Sequence, residues 1–175
     1  MSFLILVRHG QSIWNLEKKF TGWVDIDLTK QGKLEAEKAG YLIKNQNIKI
    51  HHCYSSFQLR ANHTMKIIKK ILNDDDSFIK AWQLNERHYG AKIGEDKVHE
   101  FRRSWDVKPE PLDKNSPYHP MKIEIYKKLP KEVVPDTESL KDTYERVYKY
   151  FKDEIQNKLL KENVLISAHG NSIRA

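Results

Sequence analysis

Cysteine is nearly absent from this 175-residue chain. The one thiol, Cys53, has no partner for an intramolecular disulfide and excludes a cysteine-based metal site. Long apolar runs are missing too: none approaches the roughly 20 residues that a bilayer-spanning helix needs. The opening run Phe3–Val7 is too short for a signal peptide and has no basic segment before it. There is no internal repeat, no low-complexity linker and no glycine-rich P-loop of the kind that cradles nucleotide phosphates. These absences predict a cytoplasmic protein without a membrane partner.

What is present fits a folded domain. Hydrophobic residues make up 39% and charged residues 31%, so a single domain spanning 1–175 can bury a core. The formal net charge of +7 comes from lysines and arginines interleaved with acids, without a block of one sign. Most of that excess reads as a solvated lysine-rich surface; a polyanionic ligand is the sharper reading.

Apolar periodicity alternates between strands and helices. Phe3–Val7 reads as a fully buried strand, His51–Ser55 as a second, Phe78–Leu84 as a third and Asn163–Ala168 as a fourth. Thr29 can cap a helix running to about Asn45, with Leu34, Ala39, Leu42 and Ile43 on one face. Ser55 or Ser56 can cap another, with Ala61, Met65, Ile68 and Leu72 at helical spacing. Asp136 or Thr137 can cap a long helix striped by Leu140, Tyr144, Val147, Phe151 and Ile155. All six prolines fall between 105 and 135, which predicts an irregular excursion there. The pattern predicts a doubly wound α/β fold, its mostly parallel sheet covered by helices on both faces. Ligands bind such sheets beyond the carboxyl ends of the strands.

Two strands end in the same chemistry: FLILV runs into Arg8-His9-Gly10, and NVLIS into Ala168-His169-Gly170-Asn171. A lone histidine at a strand end is more often a satisfied polar residue than a nucleophile. Two of them at one sheet edge, each before a glycine, reverse that judgement. Imidazole accepts a phosphoryl group well when one nitrogen is bare and the other is held protonated. Arg8 adds a fixed cation for phosphate oxygens. His51-His52 lacks further ligands at a useful spacing, so no metal site is expected. Trp14, Trp23, Trp82 and Trp105 read as core or pocket-wall residues, and no nucleic-acid partner is expected.

The blocks that follow one another along the chain resemble a known family. Leu6-Val7-Arg8-His9-Gly10-Gln11-Ser12-Ile13-Trp14-Asn15 resembles the opening of the histidine phosphatase superfamily. Phe20-Thr21-Gly22-Trp23, Arg60 with Ala61, and Leu84-Asn85-Glu86-Arg87-His88-Tyr89-Gly90 are similar to its cofactor-dependent phosphoglycerate mutase branch. So are Arg102-Arg103-Ser104-Trp105, Thr137-Glu138-Ser139-Leu140 and Ala168-His169-Gly170-Asn171-Ser172-Ile173-Arg174. The blocks keep the family's order over almost the whole chain.

The resemblance implies a phosphohistidine at His9, with Arg8, Arg60 and His169 around the transferring group and Glu86 as general acid and base. It implies that Gly10, Gln11, Ser12, Asn15, Thr21, Gly22, Arg87, His88, Tyr89, Arg102, Arg103, Gly170 and Asn171 hold the substrate's phosphate and carboxylate. It further implies 2,3-bisphosphoglycerate as the priming cofactor, no metal, a small phosphoglycerate substrate, and a homo-oligomer, dimer or tetramer. Measured against the family pattern, the chain is expected to be short by an internal loop near 91–92 and by a C-terminal segment. Two alternatives stay open: a bisphosphoglycerate mutase or phosphatase using the same site, and an inactive polyanion-binding module.

Overall fold

The computed structural model describes residues 1–75, 77–96 and 104–175. Strand β1 (Leu4–Arg8) leads through the short helix α1 (Ile13–Leu16) to helix α2 (Lys30–Lys44). Strand β2 (His52–Ser55), helix α3 (Leu59–Leu72) and the two-residue strand β3 (Ile79–Lys80) follow. Helix α4 (Leu140–Tyr150) continues through a π-helical turn, Phe151–Ile155, into α5 (Gln156–Leu159), and β4 (Val164–Ala168) runs into α6 (Gly170–Arg174). Among the described residues the sheet has the order β1-β4-β2-β3 with every pair parallel.

The centre of the sheet is β4, all five residues of which are buried. On one face Leu165 and Cys53 pack against Ile43 of α2 and Met65 and Ile68 of α3. On the other, Val164, Ile166 and Tyr54 pack against Val147 of α4, Ile155 and Leu84. The α/β expectation with helices on both faces therefore holds.

Several local expectations are corrected. The apolar run at the start is an edge strand rather than a buried one. Ile5 and Val7 face the α2/α3 core, while Leu4 and Leu6 are 37% and 45% exposed. These two leucines border an apolar groove of roughly 270 Å³ shared with Val147, Phe151 and Ile173. The buried stripe of α2 is Gly32, Ala36, Gly40 and Ile43, with Leu34 and Leu42 outside, because the two glycines let α2 lie close to its neighbours. Helix α3 starts after Gln58 rather than after Ser55 or Ser56; the Ser56 hydroxyl accepts from Gln58 N–H, ahead of the helix, and also bonds His169. Helix α4 is capped by Ser139, whose hydroxyl accepts from Asp142 N–H while the Asp142 carboxylate reaches back to Ser139 N–H. The third strand shrinks to two residues, and Trp82–Leu84 forms a 3-10 turn. From Pro120 to Val133 the proline-rich excursion is built of short 3-10 turns. No helix among the described residues is long and apolar enough to cross a membrane.

Candidate active site

Because β1 and β4 are parallel neighbours in register Arg8↔Ala168, the residues that follow them emerge side by side. The rings of His9 and His169 lie 4.9 Å apart, centroid to centroid. His9 Nδ1 is 2.7 Å from the Gly10 carbonyl oxygen. A carbonyl can only accept, so Nδ1 carries a proton, which makes Nε2 the nitrogen able to attack phosphorus when the ring is neutral. Gly10 has a packing reason to be glycine: a Cβ there would lie 2.0 Å from the Gly32 carbonyl oxygen of α2.

His169 is fully buried behind His9. A hydrogen-bonded relay runs from Gln58 N–H to Ser56 Oγ at 3.2 Å, and on to His169 Nε2 at 2.8 Å. Ser56 Oγ and His169 Nε2 share one hydrogen, and His169 Nδ1 is buried without a hydrogen-bond partner. Burial, followed by the positive charge of Arg60, holds the His169 pKa well below the ordinary histidine range, so the ring is neutral.

The opposite wall comes from loops. Gly22 adopts φ +52°, a left-handed conformation that glycine accepts without strain, and its carbonyl turns toward α3. That carbonyl accepts from Arg60 Nη2 at 2.9 Å, while Arg60 Nη1 donates to Val24 O at 2.9 Å. Desolvation lowers the Arg60 pKa, and Glu86 and Asp25 partly offset it. Thr21 Oγ1 is buried without a partner. Glu86 folds its carboxylate back to accept from Arg87 N–H at 2.8 Å, and its own N–H donates to Gln58 Oε1 at 3.0 Å. Asn171 Nδ2 donates to the Tyr89 hydroxyl at 2.7 Å and ties the two walls together.

The resulting cavity is lined by Arg8, His9, Asn15, Thr21, Gly22, Arg60, Glu86, Tyr89, Gly170, Asn171 and Arg174. Ten of these were singled out in the sequence; Arg174 was not. Four further residues expected at the site make protein contacts of their own. Gln11 is engaged with Thr29 and Glu35, and Ser12 caps α1. The Arg87 guanidinium donates to the Glu138 and Val107 carbonyls and lies 5.4 Å from the Tyr89 ring. His88 is buried against Trp23, its Nδ1 accepting from Gly90 N–H and its Nε2 without a partner. Burial, then His119, pulls the His88 pKa down to about 3. Arg102 and Arg103 lie outside the described residues. Among the described residues, no group of three His, Cys, Asp or Glu side chains is arranged to hold a metal ion.

Sequence reasoning missed the supports. Arg146 donates to the Glu86, Asn85 and Gln83 carbonyls and forms a buried ion pair with Glu138 at 2.7 Å. Glu138 in turn accepts from His88 N–H at 2.8 Å. The only sequence signal was the Glu138–Arg146 spacing, close to two helical turns.

A model of the histidine phosphatase superfamily (branch 1) matches residues 4–175. A 2,3-bisphosphoglycerate-dependent phosphoglycerate mutase of Pelagibacter ubique is 65% identical over 187 aligned positions, covering 100% of this chain and 79% of its own length. The protein of the same description from Xylella fastidiosa is 48% identical, covering 98% of this chain and 74% of its own length. In fold, the chain is similar to Bacillus stearothermophilus YhfR, with TM-score 0.68 and 22% identity over 99% of this chain and 76% of that one. TTHB049 from Thermus thermophilus gives TM-score 0.65 and 24% identity, over 98% and 80%.

Proposed function

The chain belongs to the histidine phosphatase superfamily, and within it we propose a phosphoglycerate mutase that interconverts 3-phosphoglycerate and 2-phosphoglycerate through a phosphorylated His9. The observation that carries this is the meeting, in one cavity, of a histidine whose Nδ1 proton is held by a carbonyl, a carboxylate and three arginines. Binding alone needs neither the nucleophile nor the acid.

His9 gives its phosphoryl group to one substrate hydroxyl and later recovers one from the neighbouring carbon. Glu86 takes the proton of the attacking hydroxyl in the first transfer and returns it to the leaving oxygen in the second. Arg8 and Arg60 hold the charge of the transferring group. The neutral His169 contributes a hydrogen bond from Nδ1 rather than a positive charge. With Nδ1 protonated, it and the buried Thr21 hydroxyl are two donors that an oxyanion would satisfy, which suits a doubly phosphorylated three-carbon acid. When bound, 2,3-bisphosphoglycerate supplies the phosphoryl group that first charges His9. Asn15, Tyr89, Gly170 and Asn171 orient the substrate. A single domain, a cytoplasmic location and a reaction without metal go with this function.

The test is a coupled assay of the purified chain with and without added 2,3-bisphosphoglycerate. Turnover should depend on the addition and survive a chelator. Labelled 2,3-bisphosphoglycerate should leave an acid-labile, base-stable label on His9. Equal labelling of His9→Ala would overturn the assignment.

A further inference from the structure

Gln58 occupies the N-cap position of α3, yet its side chain makes no capping bond. It is fully buried and reaches away from its own helix in two directions at once. Nε2 donates to the Gly22 carbonyl at 2.8 Å, and Oε1 accepts from the Glu86 N–H at 3.0 Å. The first bond joins the loop that carries Thr21; the second fixes the peptide from which the Glu86 carboxylate springs. Arg146 holds the carbonyl of that same residue at 2.9 Å, so Glu86 is gripped at both backbone atoms. The carboxylate itself bonds only to the adjacent Arg87 N–H among the bonds described for it, so its aim follows the backbone.

We infer that Gln58 is a positioning residue for Glu86, setting the distance between the acid–base carboxylate and His9. This rests on the catalytic role proposed for Glu86. A donor at one end and an acceptor at the other are both required, which an apolar side chain cannot supply and a carboxylate cannot supply in full. Such a strut acts on the chemical step. Misplacing a reacting group by about 1 Å costs on the order of 10²-fold in rate, whereas Gly22, on the loop with Thr21, keeps its bond from Arg60 Nη2 when Gln58 is replaced.

The experiment is a double-substitution cycle on the full chain, using Gln58→Met, Glu86→Gln and the pair. Gln58→Met should lower kcat by about 10- to 100-fold while KM for 3-phosphoglycerate stays within about twofold. In the Glu86→Gln background the same change should cost nothing further, because the group it aims is already gone. An equal kcat loss in both backgrounds, or a loss carried by KM, overturns the inference in favour of general distortion. Glu86→Gln alone with normal turnover overturns the proposed role of Glu86 instead, so the two failures are distinct. Where methionine prevents folding, Gln58→Asn repeats the cycle with a polar side chain one methylene too short to reach Glu86, and the same outcomes decide.

Discussion

Arg8, His9, Gly170 and Asn171 stand on one wall of the cavity; Thr21, Gly22, Glu86 and Tyr89 stand on the other. The first wall grows directly from β1 and β4, whose five-residue parallel register brings the chain ends after Arg8 and Ala168 side by side. The second wall has no strand beneath it. Its loops are held by side chains that bond to main-chain atoms: Arg60 and Gln58 on Gly22, Gln58 and Arg146 on Glu86, and Glu138 on His88. The nucleophile thus inherits its position from the sheet, while the acid–base group depends on a few buried polar residues. Substitutions remote from the substrate should therefore damage the second wall far more readily than the first.

The harshest way to break that contrast is Arg146→Met. It leaves Glu138, 5% exposed, as an uncompensated buried carboxylate and frees three carbonyls. Removing one partner of a buried pair costs about 3–5 kcal/mol, to be read from urea unfolding. Hydrogen exchange should rise at the Glu86–Tyr89 amides while those of β1 and β4 keep their protection. Adding Glu138→Gln should return part of the loss; equal loosening of both walls would erase the distinction between them.

Next in size is Glu86→Gln, which removes the chemistry of the second wall and leaves its framework. Mutase turnover should fall by at least about 10²-fold, an effect near 3 kcal/mol on the barrier, with an unchanged unfolding midpoint. Turnover close to normal would place the base elsewhere.

Acidification probes both walls, since each buries a neutral imidazole. His88 falls from an ordinary value of 6.5 to about 3, and His169 is lowered as well. The unfolded chain therefore takes up protons first. Stability is full above about pH 6.5 and is lost progressively toward pH 3. Between pH 6.5 and 5 the His88 share alone amounts to about 2 kcal/mol. His88→Asn, whose side-chain oxygen can still accept from Gly90 N–H, should flatten the pH dependence of the urea midpoint and leave the His169 share. An unchanged slope would mean that the second wall contributes nothing to it.

The first wall was legible in the sequence and the second largely was not, for one physical reason. A buried strand followed by a histidine and a glycine announces both a position and a chemistry, so His9 and His169 could be paired before any coordinates. Gln58 and Arg146 bond to backbone atoms, and no residue type marks which carbonyl or N–H will be left needing a partner. The same limit explains the strands. FLILV and NVLIS look alike, but only the neighbours decide that β4 is central and β1 an edge with Leu4 and Leu6 turned outward. It also explains the start of α3, where Ser56 looked like a cap but its hydroxyl belongs to the His169 relay. His88 and Arg87 also brace the loop that carries Glu86, through bonds to Glu138 and Val107.

The central place of β4 also has a consequence for the order of events during synthesis. Strand β1 emerges from the ribosome early, but the strand it pairs with lies about 160 residues later, as the bond from Phe3 N–H to Asn163 Oδ1 marks. At roughly 5–20 residues per second, the nascent chain carries an unpaired β1 for something like 8–30 seconds. Throughout that interval β1 and β2 lack their common native partner, since the slot between them belongs to Val164–Ala168. Insertion of that one strand then closes the sheet and, with the very next residue, sets His169 behind His9. Sheet and reaction centre are thus joined through the same strand.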